Sequence, residues 1–404
     1  MTIRMDEGAA ELLDNLHRAG YAAYVVGGCV RDSLLGLTPH DWDLCTSALP
    51  QQGMELFGEE RCIPTGLQHG TVTVKQGGGL YEITTFRTEG TYTDGRHPDE
   101  VHFVPDVRED LARRDFTINA MAYNANEGLI DPFGGQADLQ SGILRAVGVP
   151  HQRFTEDALR ILRLYRFAAR FGFSIDPPTA QAAQELCAHL DCVSVERIEE
   201  ELAKLLSAPA PAAYLDEKIL GVVLRELSPE ALAAAKPVVD ACPAGEQALP
   251  VRLAALLLSL GEDGTRRTLR RLRCSNACIE ETAVLVREVV SGVPVSLNIY
   301  ARRLLGKYNL CTVQRLAALG TALQPERSAD FAALSELAEQ LDADGVCCRV
   351  SQLAVNGRDL MAAGVPAGPG IRKVLEALLD GVIREEYPNE RQALLAAVQQ
   401  LAAS

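Results

Sequence analysis

Two aspartates separated by one residue, Asp41 and Asp43, are the side chains of this sequence best suited to hold a metal ion. In an extended strand, residues i and i+2 face the same side, so the two carboxylates would share one face. Like charges this close repel unless a cation lies between them, and a hard ion such as Mg²⁺ prefers carboxylate oxygens. The pair predicts a magnesium site, although an isolated Asp-x-Asp is also typical of a solvated turn.

A glycine pair precedes these aspartates by about a dozen residues, in the segment Gly27-Gly28-Cys29-Val30-Arg31-Asp32. Backbone N–H groups at a helix start can hold phosphate, and glycine lets the phosphate approach closely. We expect Gly28 to allow this approach and Arg31 to add positive charge. A plain strand-to-helix turn would contain the same residues, so the interpretation depends on the combination with the aspartates.

The segment Arg113-Arg114-Asp115 allows two interpretations. One is a charged helix start with Asp115 as its N-cap. The other is a clamp for a triphosphate, and the segment alone leaves both open.

Four arginines fall within one arc of a predicted helix, and apolar side chains occupy another arc. They are Arg160, Arg163, Arg166 and Arg170. Asp157 lies three residues before Arg160, so these two side chains are neighbours on the helix. Solvated salt bridges are the alternative, but four arginines without matching acids repel one another unless an anion is present. We therefore predict an anion-binding face.

The predicted secondary structure that must position these residues changes along the chain, from strands to helices. Up to about residue 150, strand-like runs such as 71–74 and 81–86 are separated by glycine-rich turns. From about Thr155 the pattern is helical almost throughout. We predict an α+β fold in which an α/β head domain is followed by all-α domains.

Length and composition indicate the class of protein. The chain has 404 residues, 47% of them hydrophobic, which suits several packed domains. We find no apolar run of membrane-span length and no signal-peptide core in the first ten residues. The 11 cysteines are scattered, which favours free thiols in a reducing compartment over disulfides or a zinc site. We predict a cytoplasmic protein without a membrane partner.

The formal net charge of −15 argues against a nucleic-acid partner if the charges are evenly spread. However, five arginines crowd into one stretch of eight residues. They are Arg266, Arg267, Arg270, Arg271 and Arg273. Such a patch can bind phosphates on an otherwise acidic protein, although a solvated helix face is as good an interpretation.

Taken together, the motifs resemble the class II tRNA nucleotidyltransferase and poly(A) polymerase family. The resemblance follows the family's order through residues 24–32, 40–44, 113–120, 131–135, 156–160 and 194–204. The C-terminal half matches more loosely, through residues 356–360 and 368–370, which look like the tail of bacterial CCA-adding enzymes.

The resemblance implies a domain order and an activity. The catalytic nucleotidyltransferase head would span residues 1–150, a helical neck with the base-recognition helix 151–215, a helical body 216–330, and a helical, tRNA-binding tail 331–404. The implied enzyme uses Mg²⁺ to add CMP, CMP and AMP from CTP and ATP to the 3′ end of tRNA, with release of pyrophosphate. No protein partner is inferred.

The resemblance also implies roles for individual residues. The catalytic metal ligands would be Asp41 and Asp43, with Glu82 as a candidate third carboxylate. The triphosphate contacts would be Gly28, Arg31 and Arg114. The residues at the incoming base would be Asp157 and Arg160, with Arg163 and Arg166 nearby. The arginines of residues 266–273 would contact the tRNA backbone.

Base choice follows from hydrogen-bond donors and acceptors. Cytosine and adenine both present an amino donor beside a ring-nitrogen acceptor, whereas uracil and guanine present the reverse. A carboxylate at Asp157 accepts from the amino group and Arg160 donates to the ring nitrogen. One such pair admits C and A and leaves polar groups of U and G mismatched.

Three alternatives remain open. A CC-adding enzyme is disfavoured by the polar, glycine-bearing loop at residues 87–96, which such relatives look as though they lack. A poly(A) polymerase shares the catalytic motifs but often carries a basic tail, which the Ala- and Leu-rich end of this chain does not resemble. A non-catalytic RNA-binding protein would not need Asp41 and Asp43.

Overall fold

We describe the chain from a computed structural model, over residues 3–90, 101–290 and 297–401. The chain divides into two compact units, Met1–Arg225 and Glu226–Ser404. Within the described ranges, the strands all belong to the first unit and the second unit is helical. In the same ranges, every helix is too short or too polar to cross a bilayer.

The first unit is built on a mixed β-sheet. In chain order the strands are β1 (Ala23–Val26), β2 (Leu44–Thr46), β3 (Cys62–Gly66), β4 (Thr71–Gln76), β5 (Gly79–Thr85), β6 (Arg87–Glu89), β7 (Val101–Phe103), β8 (Ala122–Asn124), β9 (Gly128–Ile130), β10 (Ile143–Leu144) and β11 (Ser174–Ile175). Seven of them form one sheet in the order β3-β4-β5-β2-β1-β8-β9. Only β2 and β5 run parallel within it, and the other neighbours are antiparallel.

Helices precede, cover and follow this sheet. Those of the first unit are α1 (Glu7–Arg18), α2 (Gly28–Leu34), α3 (Pro50–Phe57), α4 (Val107–Ala112), α5 (Gly135–Ser141), α6 (Pro150–Glu156), α7 (Leu159–Phe171), α8 (Pro177–Glu185), α9 (Val195–Leu206) and α10 (Glu217–Val223). Those of the second unit are α11 (Pro229–Ala241), α12 (Leu249–Leu257), α13 (Gly261–Arg271), α14 (Asn276–Val290), α15 (Leu297–Lys307), α16 (Leu310–Leu323), α17 (Ser328–Ala343), α18 (Gly357–Ala362), α19 (Gly370–Ile383) and α20 (Arg391–Leu401).

The elements around the glycine turn follow from local sequence. All four residues of β1 are apolar or aromatic and all are buried, as expected for a strand inside a sheet. Helix α7 buries the apolar arc predicted for it, including Ile161, Leu162 and Tyr165. It ends at Gly172, whose φ of 68° suits a residue without a side chain.

The second unit has helical cores of its own. Near the C-terminus, α18, α19 and α20 pack through Leu360, Leu378 and Leu394, all fully buried. Burial of leucine side chains at three- and four-residue spacing is the expected basis of such a bundle.

The predicted fold class is confirmed, and the runs 71–74 and 81–86 are strands β4 and β5. One local prediction is wrong, since Asp41 and Asp43 lie just before β2 and not within a strand. Of the two interpretations of residues 113–115, the N-cap is excluded, because Asp115 is a buried residue in a loop and caps no α-helix. The short strand β11 lies within the region predicted to be helical almost throughout. The finer division at residues 151–215, 216–330 and 331–404 stays a prediction.

Candidate active site

The glycine pair forms a tight turn between β1 and α2. Gly27 has a φ of 77°, a conformation that side chains rarely adopt. A Cβ atom at Gly27 would lie 2.9 Å from Nη1 of Arg114, too close for any substitution without movement. The turn therefore needs glycine for its backbone conformation, and the Arg114 guanidinium lies directly against it.

The two aspartates lie next to this turn. The carbonyl of Asp43 accepts a hydrogen bond from the N–H of Val26, at 2.9 Å, so its backbone is attached to the end of β1. Asp41 and Asp43 are exposed, whereas Trp42 between them is half-buried. Both carboxylates are therefore accessible to a ligand, and that they face the same side stays a prediction.

The charges around Asp43 show which groups lie near its carboxylate. Partial desolvation raises its pKa, although the side chain is solvent accessible. Arg114 opposes this rise, and the carboxylates of Glu82 and Asp41 add to it. Asp41, Glu82 and Arg114 thus all lie near enough to Asp43 to affect its pKa, and the excess of negative charge there favours a bound cation.

Glu82 reaches this point because of the parallel strand pair. Leu44 of β2 is in register with Ile83 of β5. Asp43 and Glu82 each precede that pair by one residue, and both are exposed while their neighbours Leu44 and Ile83 are buried. Neighbouring strands in register point their side chains to the same face, so β5 contributes an acidic group beside the Asp41–Asp43 pair.

The described residues contain no group of three His, Cys, Asp or Glu side chains arranged closely enough to hold a metal ion. This does not conflict with a magnesium site, because Mg²⁺ is commonly held by one or two carboxylates together with substrate phosphates and water. All-oxygen donors such as Asp41 and Asp43 suit this hard ion.

Arg114 connects the glycine turn with the acidic group. Its Nη2 donates to Oδ2 of Asp110 at 3.3 Å, and its buried Nε has no hydrogen-bond partner in the described part of the chain. Asp110 is fully buried; burial opposes its charge, but Arg113 and Arg114 outweigh burial and lower its pKa. Asp110 thus holds Arg114 in place while one of the arginine's N–H groups stays unused.

Arg31 is placed differently from a surface cation. It is 4% exposed. Its Nε donates to Asp32 at 2.8 Å, and its Nη1 donates to the Asn119 side chain at 2.5 Å. The contact with triphosphate implied by the family resemblance therefore stays a prediction, for a side chain that already has protein partners.

The structure does not pair Asp157 with Arg160. Oδ2 of Asp157 accepts from Nη2 of Arg197 on α9 at 2.8 Å. Arg160 donates to Glu156 at 2.8 Å and to the backbone carbonyl of Arg113 at 3.1 Å. Both side chains are half-buried, and each has its own partner.

The expectation that the α7 arginines lack matching acids is wrong. Each arginine forms an ion pair, and the acids come mainly from other elements. The pairs are Arg160 with Glu156, Arg163 with Asp115 and Glu201, Arg166 with Glu201, and Arg170 with Asp32. Burial lowers the pKa of Arg166 to about 10.

Sequence reasoning missed three residues at this site, Asp110, Arg197 and Glu201. Arg197 and Glu201 lie in residues 194–204, which contributed to the family resemblance without an assigned role. Asp110 precedes the Arg113-Arg114 pair at helical spacing, and that spacing was the available signal.

The arginine cluster at residues 266–273 lies on and after α13, in the second unit. Arg266 pairs with Glu262 and Glu280, and Arg271 pairs with Glu226. Arg267 and Arg270 are exposed, and neither side chain forms a hydrogen bond or salt bridge within the described ranges. Two of the five arginines are thus the most available for an external phosphate.

The polar, glycine-bearing loop predicted at residues 87–96 begins with strand β6. Residues 91–100 lie outside the described residues, so the role of this loop in distinguishing CCA addition from CC addition stays a prediction.

Three family models match the chain. The poly A polymerase head domain matches residues 23–145. A model described as "Probable RNA and SrmB- binding site of polymerase A" matches residues 172–229, and a tRNA nucleotidyltransferase domain 2 model matches residues 251–398.

Curated and solved relatives span nearly the whole chain. A CCA-adding enzyme of Lactiplantibacillus plantarum is 38% identical over 396 residues, which cover 96% of this chain and 95% of that protein. One of Limosilactobacillus fermentum is 37% identical, with 98% and 97% covered. The crystal structure of the Bacillus stearothermophilus CCA-adding enzyme in complex with CTP is 31% identical, with a TM-score of 0.83 and coverage of 99% and 98%. On these grounds, the chain belongs to the family of CCA-adding enzymes.

Proposed function

We propose that this chain adds CMP, CMP and AMP in turn to the 3′ end of tRNA, using CTP and ATP and releasing pyrophosphate. The observation that carries the proposal is the group formed by Asp41, Asp43 and Glu82 beside Arg114 and the Gly27–Gly28 turn. Acidic groups for a metal and an arginine for phosphates, placed next to one another, are what nucleotidyl transfer requires.

The cofactor of the proposal is Mg²⁺, within a family that generally uses divalent metal. Asp41 and Asp43 would hold the ion, with Glu82 near enough to influence Asp43. When bound, the ion polarises the primer 3′-hydroxyl and neutralises charge on the leaving pyrophosphate.

The chain's own residues position the triphosphate. The 3′ oxygen of the primer attacks the α-phosphorus, and the bond from that phosphorus to the bridging oxygen of pyrophosphate breaks. Arg114 neutralises phosphate charge with its guanidinium, whose Nη1 lies against Gly27, and the backbone at Gly27 and Gly28 allows close approach. This arrangement lowers the barrier by positioning and charge neutralisation.

Base selection in the proposal belongs to Asp157 and Arg160. In the protein alone, Asp157 pairs with Arg197 and Arg160 pairs with Glu156. Each side chain would give up this ion pair to form a hydrogen bond with the base. The carboxylate of Asp157 offers only acceptor oxygens and the Arg160 guanidinium only donor N–H groups, which is the combination that recognises an amino group beside a ring nitrogen.

The proposal extends to the tRNA and to the compartment. Exposed Arg267 and Arg270 would contact the phosphate backbone. All eleven cysteines are free, which agrees with a reducing cytoplasm.

The deciding experiment is incorporation on tRNA that lacks CCA, with each nucleotide alone and then with CTP and ATP together. We expect C addition with CTP alone and full CCA only with both. Asp43→Asn should lower the rate about a thousandfold, because several kcal/mol of charge stabilisation are lost. Long A tails with ATP alone would show a poly(A) polymerase, and an active Asp43→Asn variant would refute the assigned site.

Base selection has a test of its own. Asp157→Ala should reduce discrimination against UTP and GTP about tenfold, since one hydrogen-bond partner is removed. The measurement is kcat/KM for all four nucleotides. Unchanged discrimination would refute the role of Asp157.

A further inference from the structure

Asp110 on α4 is fully buried and bonds three residues. Its Oδ1 accepts from Nε and Nη2 of Arg113, at 3.0 and 2.8 Å, and from the backbone N–H of Arg87 at 3.3 Å. Its Oδ2 accepts from Nη2 of Arg114 at 3.3 Å. Because Arg87 is the first residue of β6, one carboxylate joins the start of that strand to both arginines that follow α4.

The end of α4 is also bonded to α6 and α7. Nη1 of Arg153 on α6 donates to the carbonyl of Ala112 at 3.0 Å, and Nη2 of Arg160 on α7 donates to the carbonyl of Arg113 at 3.1 Å. Carbonyls at a helix end lack partners within the helix, so guanidinium donors suit them. The end of α4 therefore lies between Arg114, which lies against the glycine turn, and Arg160, which selects the base in the proposed function.

Arg114 and Arg160 would have to serve two bases of different size. In cytosine, the ring that is attached to the ribose carries the amino group and the ring-nitrogen acceptor, whereas in adenine the other, more distant ring carries them. If Arg114 holds the triphosphate in one place, its separation from Arg160 must be greater for ATP than for CTP. Here Arg160 is bonded to Arg113, the chain neighbour of Arg114, so the separation is short and can only increase.

A cavity beside α4 gives this separation room to change. It has a volume of about 220 Å³, and its lining includes Thr88 of β6, Glu109 of α4 and Glu156 of α6. The apolar side of α4 is packed instead, since Val107 and Leu111 belong to a buried hydrophobic cluster. The helix is thus anchored through its apolar side, while its polar side faces open space.

We propose that Asp110 is a positioning residue that sets the separation between Arg114 and Arg160 by holding the end of α4 against β6. A controlled change of this separation is what lets one arginine pair serve both CTP and ATP. The inference rests on the proposed function, and it concerns a residue that is too buried to contact the nucleotide itself.

AMP addition is the step that is more sensitive to the loss of Asp110. It needs a longer separation than the one in this structure, so the end of α4 has to be held in a displaced position. Errors of about 1 Å in such a position are enough to impair a reaction.

The test compares the addition of the two bases by the same variant. Asp110→Asn keeps the size of the side chain, removes its charge and replaces one acceptor oxygen by a donor, which cannot accept from arginine. The readouts are kcat and KM for CMP addition to tRNA lacking CCA and for AMP addition to tRNA ending in CC. We expect kcat/KM for AMP addition to fall about tenfold more than kcat/KM for CMP addition, with most of the difference in kcat.

A second variant tests the same separation without a change at Asp110. Arg153→Lys removes the fork through which Arg153 bonds both the Ala112 carbonyl and Glu156. It should shift the ratio of AMP to CMP addition in the same direction. Thermal unfolding identifies a variant that does not fold, and the other variant then decides.

Asp176→Asn is the matched control. It removes the charge of another buried aspartate of the first unit, whose side-chain partners in the described ranges are Arg145 and Thr179. The ratio of AMP to CMP addition should stay unchanged in this control.

Three results would overturn the inference. They are a proportional loss of CMP and AMP addition in the variants of the α4 end, a selective loss of CMP addition, and an equal shift of the ratio in the Asp176→Asn control. Each would leave Asp110 with a purely structural role. Failure of the unmodified protein to add C and A would instead refute the proposed function.

Discussion

Two helices of this protein carry arginines in a stripe, α7 in the first unit and α13 in the second, and their surroundings differ. On α7 every arginine of the stripe pairs with an acid, and Phe167 lies beneath Arg163 and Arg166. On and after α13, Arg266 and Arg271 are paired, whereas Arg267 and Arg270 are exposed.

The difference teaches that an arginine stripe indicates anion binding only where its acids are missing. The acids of α7 come from distant segments, since Asp115 and Glu201 are supplied by other elements. The sequence of one helix does not reveal partners that other segments supply. We therefore interpret the ion-paired arginines of α7 as contacts that hold the first unit together. The exposed Arg267 and Arg270 are the better candidates for phosphate contact.

The largest expected difference between α7 and α13 is in how much their arginines stabilise the folded protein. Arg163→Ala leaves Asp115 buried without its cation, whereas Glu201 keeps Arg166, so we expect a loss of about 3–5 kcal/mol in the free energy of unfolding. Arg270→Ala on exposed α13 should change it by less than about 0.5 kcal/mol. Chemical denaturation of both variants measures this, and equal losses would remove the distinction between the two helices.

The second contrast is in tRNA binding. Arg267→Glu/Arg270→Glu should raise the KM for tRNA about tenfold or more. It should also reduce the slope of log affinity against log salt by about one for each phosphate that the protein no longer neutralises. The kcat should stay unchanged. Arg18→Glu, an exposed arginine on α1, serves as the matched control. A change in kcat alone would contradict phosphate contact by α13.

The smallest expected effect is on the acid sensitivity of the ion pair between Asp115 and the α7 stripe. The pKa of Asp115 is lower in the folded chain than in the unfolded chain, so its stabilisation is present above the unfolded value and is lost as pH falls towards the folded one. Between pH 7 and pH 3 the unmodified protein should lose about 1 kcal/mol more than Asp115→Asn. Denaturation curves at both pH values measure the difference, and parallel losses would contradict the role assigned to Asp115.

Much of the fold and the centre of the site follow from the sequence. The Gly27-Gly28 pair and the amphipathic pattern of α7 are local signals, and each led to a correct placement; the spacing of Asp41 and Asp43 wrongly predicted a strand, since both lie just before β2. Their physical basis is short range, namely turn geometry, alternation and helical periodicity.

The partners of the charged residues could not be predicted in this way. Asp157 bonds Arg197, forty residues further along the chain, and not Arg160 on the next helix turn. Burial of Arg31 by Phe167 and Phe171 likewise depends on how two helices pack. Ion-pair choice among several arginines and acids is set by tertiary packing, and helical spacing alone does not contain that information.

The single parallel pairing in the sheet has a consequence for protein engineering. Because β5 meets β2 in register, Glu82 stands level with Asp43, and its chain neighbours Tyr81 and Ile83 are buried in the opposite layer. Shortening the β4–β5 hairpin by one residue so that β5 slides one step would replace a carboxylate by a hydrophobic group beside Asp43. Redesign of the loop around Gly77 and Gly78 should therefore preserve the register of β5, even though these glycines lie far from Asp41 and Asp43 in the sequence.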